Sequence, residues 1–205
     1  MEAEARIVRR HAPVEIGGGA PEGAQAAAER LVARGVTGLV SFGLAGGLDP
    51  ALAAGALVIP ESVIDDGQVF AADIALSARF GGVMPLRALA AASVLASVAA
   101  KRAAWIATGA AIVDLESGAV ARMAARHGLP FAVVRAVCDP TGRNLPLLAL
   151  SALDAGGRIG VARVVGSLLR HPLQLPGLLG LARDAMRARA SLDFQIRRFI
   201  ASPRE

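Results

Sequence analysis

The chain has 205 residues, a net charge of +5 at pH 7 and one cysteine, Cys138. This length suits a single domain, with or without an appendage, that buries enough surface to fold without disulfides. Apart from Lys101 the cationic residues are scattered arginines, and the aromatic residues are six phenylalanines and one tryptophan. A composition without basic runs or interleaved aromatic residues argues against nucleic-acid binding.

The first six residues include Glu2, Glu4 and Arg6 and precede no long apolar segment, so we expect no secretory signal. No uncharged apolar stretch reaches the roughly 18 residues that a membrane-spanning helix needs. With the single cysteine, these features predict a cytoplasmic protein, peripheral at the inner membrane if it contacts a membrane at all.

Strand-like and helix-like segments alternate along the chain as far as Asp139. The predicted elements, in chain order, are a helix over 2–10, a strand over 13–16, a helix over 24–34, a strand over 36–42, one or two strands over 56–64, helices over 72–80 and 101–107, a strand over 110–113, a helix over 116–127 and a strand over 131–138. This alternation predicts an α/β protein with three layers, α/β/α, around a central mixed, mostly parallel sheet.

After Asp139 the sequence becomes helical, with predicted helices over 145–153, 159–169 and 177–200. We expect an α/β domain over 1–155 and a helical C-terminal extension over 156–205. Apolar residues recur at spacings of three and four along the last helix, namely Leu178, Leu181, Ala185, Ala188, Leu192, Ile196 and Phe199. In one interpretation this stripe packs on the domain or on a dimer partner. In the other it lies on a membrane surface, an interpretation that the nearby arginines support.

Three features follow predicted strands: the glycines between Gly43 and Gly47, the segment from Asp114 to Glu116, and Asp139. Ligands of open α/β sheets bind outside the carboxyl ends of strands, so these features indicate a binding site. Locally, Asp139 also suits a turn before proline, and Glu116 suits the first turn of a helix. No dinucleotide-binding or P-loop glycine pattern is present.

Three motifs in a fixed order identify a family. S-F-G-L-A-G-G-L-D-P (residues 41–50) resembles the glycine motif of 5′-methylthioadenosine/S-adenosylhomocysteine nucleosidases. V-D-L-E-S-G-A-V-A (residues 113–121) resembles their acidic segment, and P-F-A-V-V-R-A-V-C-D (residues 130–139) resembles their strand ending in R-x-x-S-D. The chain is therefore identified as a member of the purine nucleoside phosphorylase and nucleosidase superfamily.

Finer details, including L-R-H-P-L-Q-L-P at residues 169–176, are most similar to the hopanoid-associated phosphorylase subfamily, thought to release adenine from adenosylhopane. The resemblance implies cleavage of the N-glycosidic bond of an adenine nucleoside, without cofactor or metal, by a homodimer. The alternatives are a methylthioadenosine/adenosylhomocysteine nucleosidase and a catalytically inactive module that binds a membrane surface.

The resemblance also implies roles for individual residues. Asp139 matches the acid that protonates the purine at N7, and Glu4 matches the glutamate that activates the attacking water. Glu116 matches the carboxylate that holds the ribose hydroxyls. The other residues expected to bind substrate are Leu115, Leu44, Ala45, Gly46 and, by a looser alignment, Val94 and Leu95.

Two departures from the family pattern matter. The family has a strand before the glutamate segment, and this strand is missing from the sequence. Family phosphorylases hold phosphate with an arginine and a serine at positions that are Ser41 and Leu44 in this chain. Since phosphate then lacks its main charged partner, we expect water to be the nucleophile.

Overall fold

The computed structural model describes residues 2–145 and 175–201. Within these residues the helices are α1 (Glu2–Val8), α2 (Pro21–Ala33), α3 (Ile74–Ala78), α4 (Val98–Thr108), α5 (Ser117–Arg126) and α6 (Leu175–Ala201). The strands are β1 (Leu39–Gly47), β2 (Leu57–Val58), β3 (Pro60–Asp65), β4 (Gln68–Ala71), β5 (Met84–Ala90), β6 (Ile112–Asp114) and β7 (Phe131–Asp139).

All seven strands form one mixed sheet in the order β2-β7-β1-β6-β5-β3-β4. β1 and β7 pair in parallel, as do β5 with β3 and with β6. The pairs β1 with β6, β2 with β7, and β3 with β4 are antiparallel. The strands β6, β5 and β3 therefore run opposite to β1 and β7.

Helices cover both faces of this sheet, which confirms the three-layer prediction. On one face Val133 and Val137 of β7 join a core cluster with Ala28 of α2 and Ala121 of α5. On the other face Val134 lies in a second cluster that includes residues of α6. Neighbouring residues of β7 thus pack on opposite faces, as the two-residue period of a strand requires.

Some predicted elements were wrong or missed. Residues 13–16 form no strand, and β4 and β5 were not predicted. Pro85 and Arg87, both exposed, obscured β5, because proline weakens a strand signal. β4 had a local signal: Asp66 and Gly67 both have positive φ (46° and 77°) and join β3 to β4 as the two-residue hairpin turn that Asp-Gly favours.

One edge of β1 is open over most of its length. β7 pairs with one side of the strand, whereas β6 pairs with the other side only at Gly46 and Gly47. Among the described residues no strand pairs with this second side of residues 39–45.

The long C-terminal helix α6 packs on the sheet. Ala188, Leu192 and Ile196 of the predicted stripe are fully buried against the face that contains Val134. These three residues of the stripe therefore contact the domain. No helix in residues 2–145 or 175–201 is long and apolar enough to cross a membrane. The helix predicted over 159–169 and the expected boundary at residue 155 lie outside the described residues.

Candidate active site

Asp139 lies at the carboxyl end of β7 and is only 5% exposed. Its Oδ2 is 2.5 Å from Nζ of Lys101, whose side chain is fully buried. Its Oδ1 is also buried and has no hydrogen-bond partner among the described residues. Burial raises the pKa of Asp139, and although the hydrogen bond and charge of Lys101 lower it, the net pKa lies above the ordinary value. The group is thus suited to hold and donate a proton.

Gly46 keeps the space beside this carboxylate open. It pairs with Val113 on one side and with Asp139 on the other. A Cβ atom on Gly46 would lie 3.2 Å from Cγ1 of Val113 and 3.9 Å from Oδ2 of Asp139. The neighbouring Ala45 is buried in the core between the sheet and α2 and α5. The glycine at position 46 therefore lies close to the acid, and the roles of Gly46 and Ala45 in substrate binding stay predictions.

A buried cation, Arg135, organises the centre of the sheet. It is 1% exposed, and its Nε and Nη2 donate to the two carboxylate oxygens of Asp114 at 3.2 and 3.1 Å. Nη2 also donates to the hydroxyls of Ser41 and Ser117 at 2.7 and 3.1 Å. A Cβ atom on Gly43 would lie 2.6 Å from Nη1, so the guanidinium requires a glycine beneath it.

Arg135 lies in the motif that ends at Asp139, but no role was predicted for it. The signal was present, since an arginine within the apolar strand V-V-R-A-V needs a buried anion to compensate it. The same applies to Lys101, the one lysine of the chain, which lies in the alanine-rich helix α4.

Glu116 lies next to Arg135. Its Oε2 is 3.7 Å from Nη2 of Arg135, and its Oε1 accepts a hydrogen bond from the backbone N–H of Gly19 at 2.9 Å. A Cβ atom on Gly17 would lie 2.5 Å from Oε1. The Gly17-Gly18-Gly19 segment therefore wraps around this carboxylate, a contact that the sequence did not predict.

Glu4 is 2% exposed and accepts a hydrogen bond from Nε of Arg189 in α6 at 3.1 Å. Burial raises the pKa of Glu4, but electrostatic attraction and hydrogen bonds, including the one from Arg189, outweigh it. The net pKa lies below its ordinary value, so Glu4 is ionised near neutral pH, as a base must be.

Glu4 and Glu116 line the same cavity, which has a volume of about 1470 Å³. The cavity runs along the open edge of β1, and side chains of Val8, Leu31, Phe42 and Ile196 contribute to its mostly apolar wall. Asp139 is not among its lining residues. Glu4 and Glu116 thus share one cavity, whose lining does not include Asp139.

The direction of β6 explains this separation. We expected the three strand-end features at one edge of the sheet, but β6 is antiparallel to β1. Its carboxyl end therefore points back along β1, so that Glu116 lies at the level of Arg135. Asp139 is four residues further along β7, which corresponds to about 13 Å.

The remaining predicted site residues are dispersed. Leu115 is half-buried directly before Glu116, and Leu95 packs in a small cluster with Val113. Val94 is 40% exposed. Leu44 packs with the α6 face of the sheet, opposite to the core cluster that holds Ala45. Their roles in substrate binding stay predictions.

Several solved structures are similar to this chain. The 5′-methylthioadenosine/S-adenosylhomocysteine nucleosidase of Neisseria meningitidis, in complex with methylthio-immucillin-A, matches with a TM-score of 0.71 and 16% identity over 99% of this chain and 96% of that one. The S-adenosylhomocysteine nucleosidase of Streptococcus pyogenes gives a TM-score of 0.65 and 16% identity, covering 90% and 77%. The futalosine hydrolase of Helicobacter pylori gives 0.65 and 12%, covering 89% and 76%.

These likenesses establish the fold. No curated protein sequence matches the chain significantly. The family model described as the Phosphorylase superfamily matches residues 10–88 and 87–154, which together make up more than half of the sequence. The chain therefore belongs to the Phosphorylase superfamily.

Proposed function

We propose that this protein cleaves the N-glycosidic bond of an adenine nucleoside by hydrolysis and releases adenine. The observation that carries the proposal is Asp139, a buried carboxyl with a raised pKa and an Oδ1 atom without a partner among the described residues. Adenine is a poor leaving group until a ring nitrogen is protonated, and a carboxylic acid whose pKa lies above its ordinary value is better able to supply that proton.

The other carboxylates complete the reaction. As the bond from C1′ to N9 breaks, its electron pair passes into the purine and N7 takes the proton from Asp139. The ribose becomes positively charged, and Glu116 provides negative charge and accepts hydrogen bonds from the ribose hydroxyls. Glu4, ionised and on the same cavity wall, accepts a proton from the water that attacks C1′.

The surroundings of Glu116 favour water over phosphate. The adjacent guanidinium, Arg135, is already held by both oxygens of Asp114 and by Ser41. Leu44 offers no hydrogen-bond donor from its side chain and packs with the opposite face. A phosphate dianion beside Glu116 would meet a carboxylate and no available cation from these residues, which is unfavourable.

We further propose a hydrophobic substituent on the ribose 5′ carbon, with adenosylhopane as the substrate. The support is the resemblance to the hopanoid-associated subfamily together with the apolar cavity, whose volume of about 1470 Å³ exceeds the roughly 300–1,000 Å³ of ordinary small-molecule sites. The second candidate is a methylthioadenosine or S-adenosylhomocysteine nucleosidase, which the resemblance of the three motifs favours.

Measurement of adenine release separates these candidates. Purified protein is incubated with adenosylhopane, methylthioadenosine and S-adenosylhomocysteine in phosphate-free and phosphate buffers, and adenine and the sugar product are quantified. Adenine with free ribose derivative in both buffers supports hydrolysis. Ribose 1-phosphate formed only with phosphate contradicts the choice of water, and release from the two small nucleosides alone contradicts the hydrophobic substituent.

Two variants test the acid. Asp139→Asn keeps the shape of the side chain and removes the proton, so adenine release should fall by about 10² to 10⁴. Asp66→Asn is the matched control, because Asp66 is an exposed residue at a positive-φ turn position that asparagine also tolerates. Equal activity of Asp139→Asn and wild type would refute the assignment. Failure of the folded wild type to release adenine from any of the three nucleosides would favour the inactive binding module.

A membrane contact through 177–200 is also proposed, on a face different from the predicted stripe. Leu179, Met186 and Phe194 are exposed, with exposed arginines on the same side of α6, whereas Ala188, Leu192 and Ile196 of the stripe are buried. Such a face suits the surface of an anionic membrane. Co-sedimentation with phosphatidylglycerol vesicles should decrease in the triple variant Leu179→Ser/Met186→Ser/Phe194→Ser, and equal sedimentation would discard the contact.

We also propose a homodimer, on the basis of the family resemblance alone. Light scattering of the purified protein measures its mass directly, and a monomer at micromolar concentration would contradict this proposal.

A further inference from the structure

We infer that Lys101 is the positioning residue of the acid, holding Asp139 by Oδ2 so that Oδ1 faces the purine and stabilising the carboxylate that proton donation leaves behind. This inference rests on the proposed function, since it concerns how the same acid works. Lys101 does not touch the substrate in this account and acts through Asp139.

Nζ of Lys101 has one acceptor for each of its N–H groups. Nζ lies 2.5 Å from Oδ2 of Asp139 and donates to the backbone carbonyls of Pro140 and Arg143 at 3.2 and 3.0 Å. A protonated lysine has three N–H groups, and these three acceptors match them. Because the side chain is fully buried, no alternative position in water competes with this one. The ammonium is therefore fixed.

The consequence for Asp139 is an asymmetry between its two oxygens. Oδ2 is engaged by Lys101, whereas Oδ1 has no hydrogen-bond partner among the described residues. A buried polar atom without a partner costs free energy, and this cost is recovered when a ligand supplies one. We therefore assign the proton of the neutral carboxyl to Oδ1, the oxygen that Lys101 leaves without a partner among the described residues.

The turn that follows β7 is held by the same lysine. Besides the two carbonyls that accept from Nζ, Leu145 N–H donates to the carbonyl of Ala96, and Val98 N–H donates to Oδ1 of Asn144. Ser97 caps the start of α4 by accepting from the N–H of Ala100. The lysine, the helix that carries it and the residues after the acid therefore form one unit that sets the position of Asp139.

The other ionisable groups near Asp139 are either paired with another charge or neutral. Arg143 is within electrostatic range but forms an ion pair with Asp184 of α6 at 2.6 Å, and Asp184 also lies 3.6 Å from Arg187. Cys138, the adjacent thiol, has its pKa raised by burial to about 12 and is neutral. Lys101 is thus the cation in direct contact with the acid.

The proton balance is simple. Asp139 gives the proton on Oδ1 to N7 as the bond from C1′ to N9 breaks, and the electron pair of the O–H bond stays on the carboxylate. Lys101 remains protonated throughout, so the step ends with an ion pair in place of a neutral acid beside a cation. The charge of Lys101 is therefore worth more after proton transfer than before, which is the condition for accelerating the step.

The test compares pH profiles of adenine release for wild type, Lys101→Met, Lys101→Gln and Lys101→Arg, on whichever of the three nucleosides wild type cleaves fastest. Loss of the cation favours the neutral acid, so in Lys101→Met and Lys101→Gln the alkaline decline of kcat/KM should move to higher pH. On the acid side of that decline, kcat should fall about 100-fold, the scale for losing one charge-stabilising group, with little change in KM. Lys101→Arg should keep the wild-type pH dependence, because the charge is retained.

The control is Arg102→Met, which removes a charge from the neighbouring exposed position of α4 and should leave the profile unchanged. Glutamine serves as the second neutral variant because it retains a donor for one carbonyl if methionine prevents folding. If neither neutral variant folds, titration of the ¹³C-labelled Asp139 carboxyl in Lys101→Arg and wild type decides, and a different titration midpoint overturns the inference.

The two failures are distinguishable. A folded wild-type protein that releases no adenine overturns the proposed function and, with it, the role of Lys101. If wild type is active but its neutral Lys101 variants keep the same alkaline decline, the positioning role is overturned and the proposed function stands. The same holds if these variants change KM rather than kcat.

Discussion

Replacing Arg135 by methionine tests whether a buried ion pair holds the centre of the sheet. Arg135 and Asp114 are both nearly inaccessible to water, and Nε and Nη2 of the guanidinium donate to both carboxylate oxygens. The same carboxylate accepts from the N–H groups of Glu116 and Ser117, at 2.8 and 2.7 Å, and from the Ser117 hydroxyl at 2.7 Å. Asp114 therefore anchors the start of α5 as well as the arginine.

Arg135→Met leaves the charge of Asp114 buried without its cation. Breaking a buried pair in this way typically costs about 3–5 kcal/mol of unfolding free energy, because the remaining charge is uncompensated. The backbone donors to Asp114 survive and offset part of the penalty, which places the expected loss near the lower end, about 3 kcal/mol. The site should respond too, since Glu116 loses the cation 3.7 Å from its Oε2.

The assay is equilibrium unfolding in urea, with the slope of free energy against denaturant checked for constancy. A double variant, Arg135→Met/Asp114→Asn, removes the orphaned charge and keeps an oxygen that accepts from the two backbone N–H groups. It should be more stable than Arg135→Met alone by at least about 1 kcal/mol, an interaction energy typical of residues in contact. The reasoning would be refuted if Arg135→Met lowered the unfolding free energy by less than about 1 kcal/mol. It would also be refuted if the loss in the double variant equalled the sum of the losses in Arg135→Met and Asp114→Asn.

Three further predictions use the same structure. Gly46→Ala places a Cβ atom 3.2 Å from Val113 and 3.9 Å from Oδ2 of Asp139, so kcat/KM should fall about tenfold to a hundredfold. Gly142→Ala, whose Cβ would meet nothing within 4 Å, should retain activity. Equal activity of the two variants would contradict the close approach of Gly46 to the acid. The pKa of Glu4 lies below its ordinary value of 4.5, so the ionised carboxylate stabilises the fold above that pH, and this stabilisation is lost as pH falls through the folded pKa. The difference in unfolding free energy between wild type and Glu4→Gln should therefore shrink on acidification. A difference that grows would contradict this prediction. Leu192→Ala, on the buried side of α6, should lower the unfolding free energy by about 2–5 kcal/mol. Met186→Ala, on the exposed side, should change it by no more than about 0.5 kcal/mol. Similar losses of the two variants in thermal unfolding would show that α6 does not pack as described.

Local patterns determined much of this molecule. The stripe containing Ala188, Leu192 and Ile196 follows from helical periodicity, and the structure confirms that it is buried. The short apolar and β-branched run ending at Asp139, interrupted only by Arg135, predicted a buried strand, because a run of this length and composition is typical of one. The three motifs identified the superfamily, which a match over more than half of the chain confirms.

Elements with weak or mixed patterns were harder to predict. β5 contains a proline and an arginine on its exposed side, and β4 is four residues long. Such strands are stabilised mainly by their neighbours, so their existence depends on pairing that the local sequence does not encode.

Only the tertiary structure decided how the charged groups meet. The sequence alone marks Arg135, Asp114, Lys101 and Asp139 as charged residues in apolar surroundings, and it does not say which cation takes which anion. Arg135 and Asp114 are 21 residues apart in the chain, and they pair because β1 brings their strands together in one sheet. The antiparallel direction of β6 likewise placed Glu116 beside Arg135 and away from Asp139. The physical reason is that periodicity and propensity act over a few neighbouring residues, whereas a buried charge is compensated by whatever the packing of distant segments brings within about 4 Å.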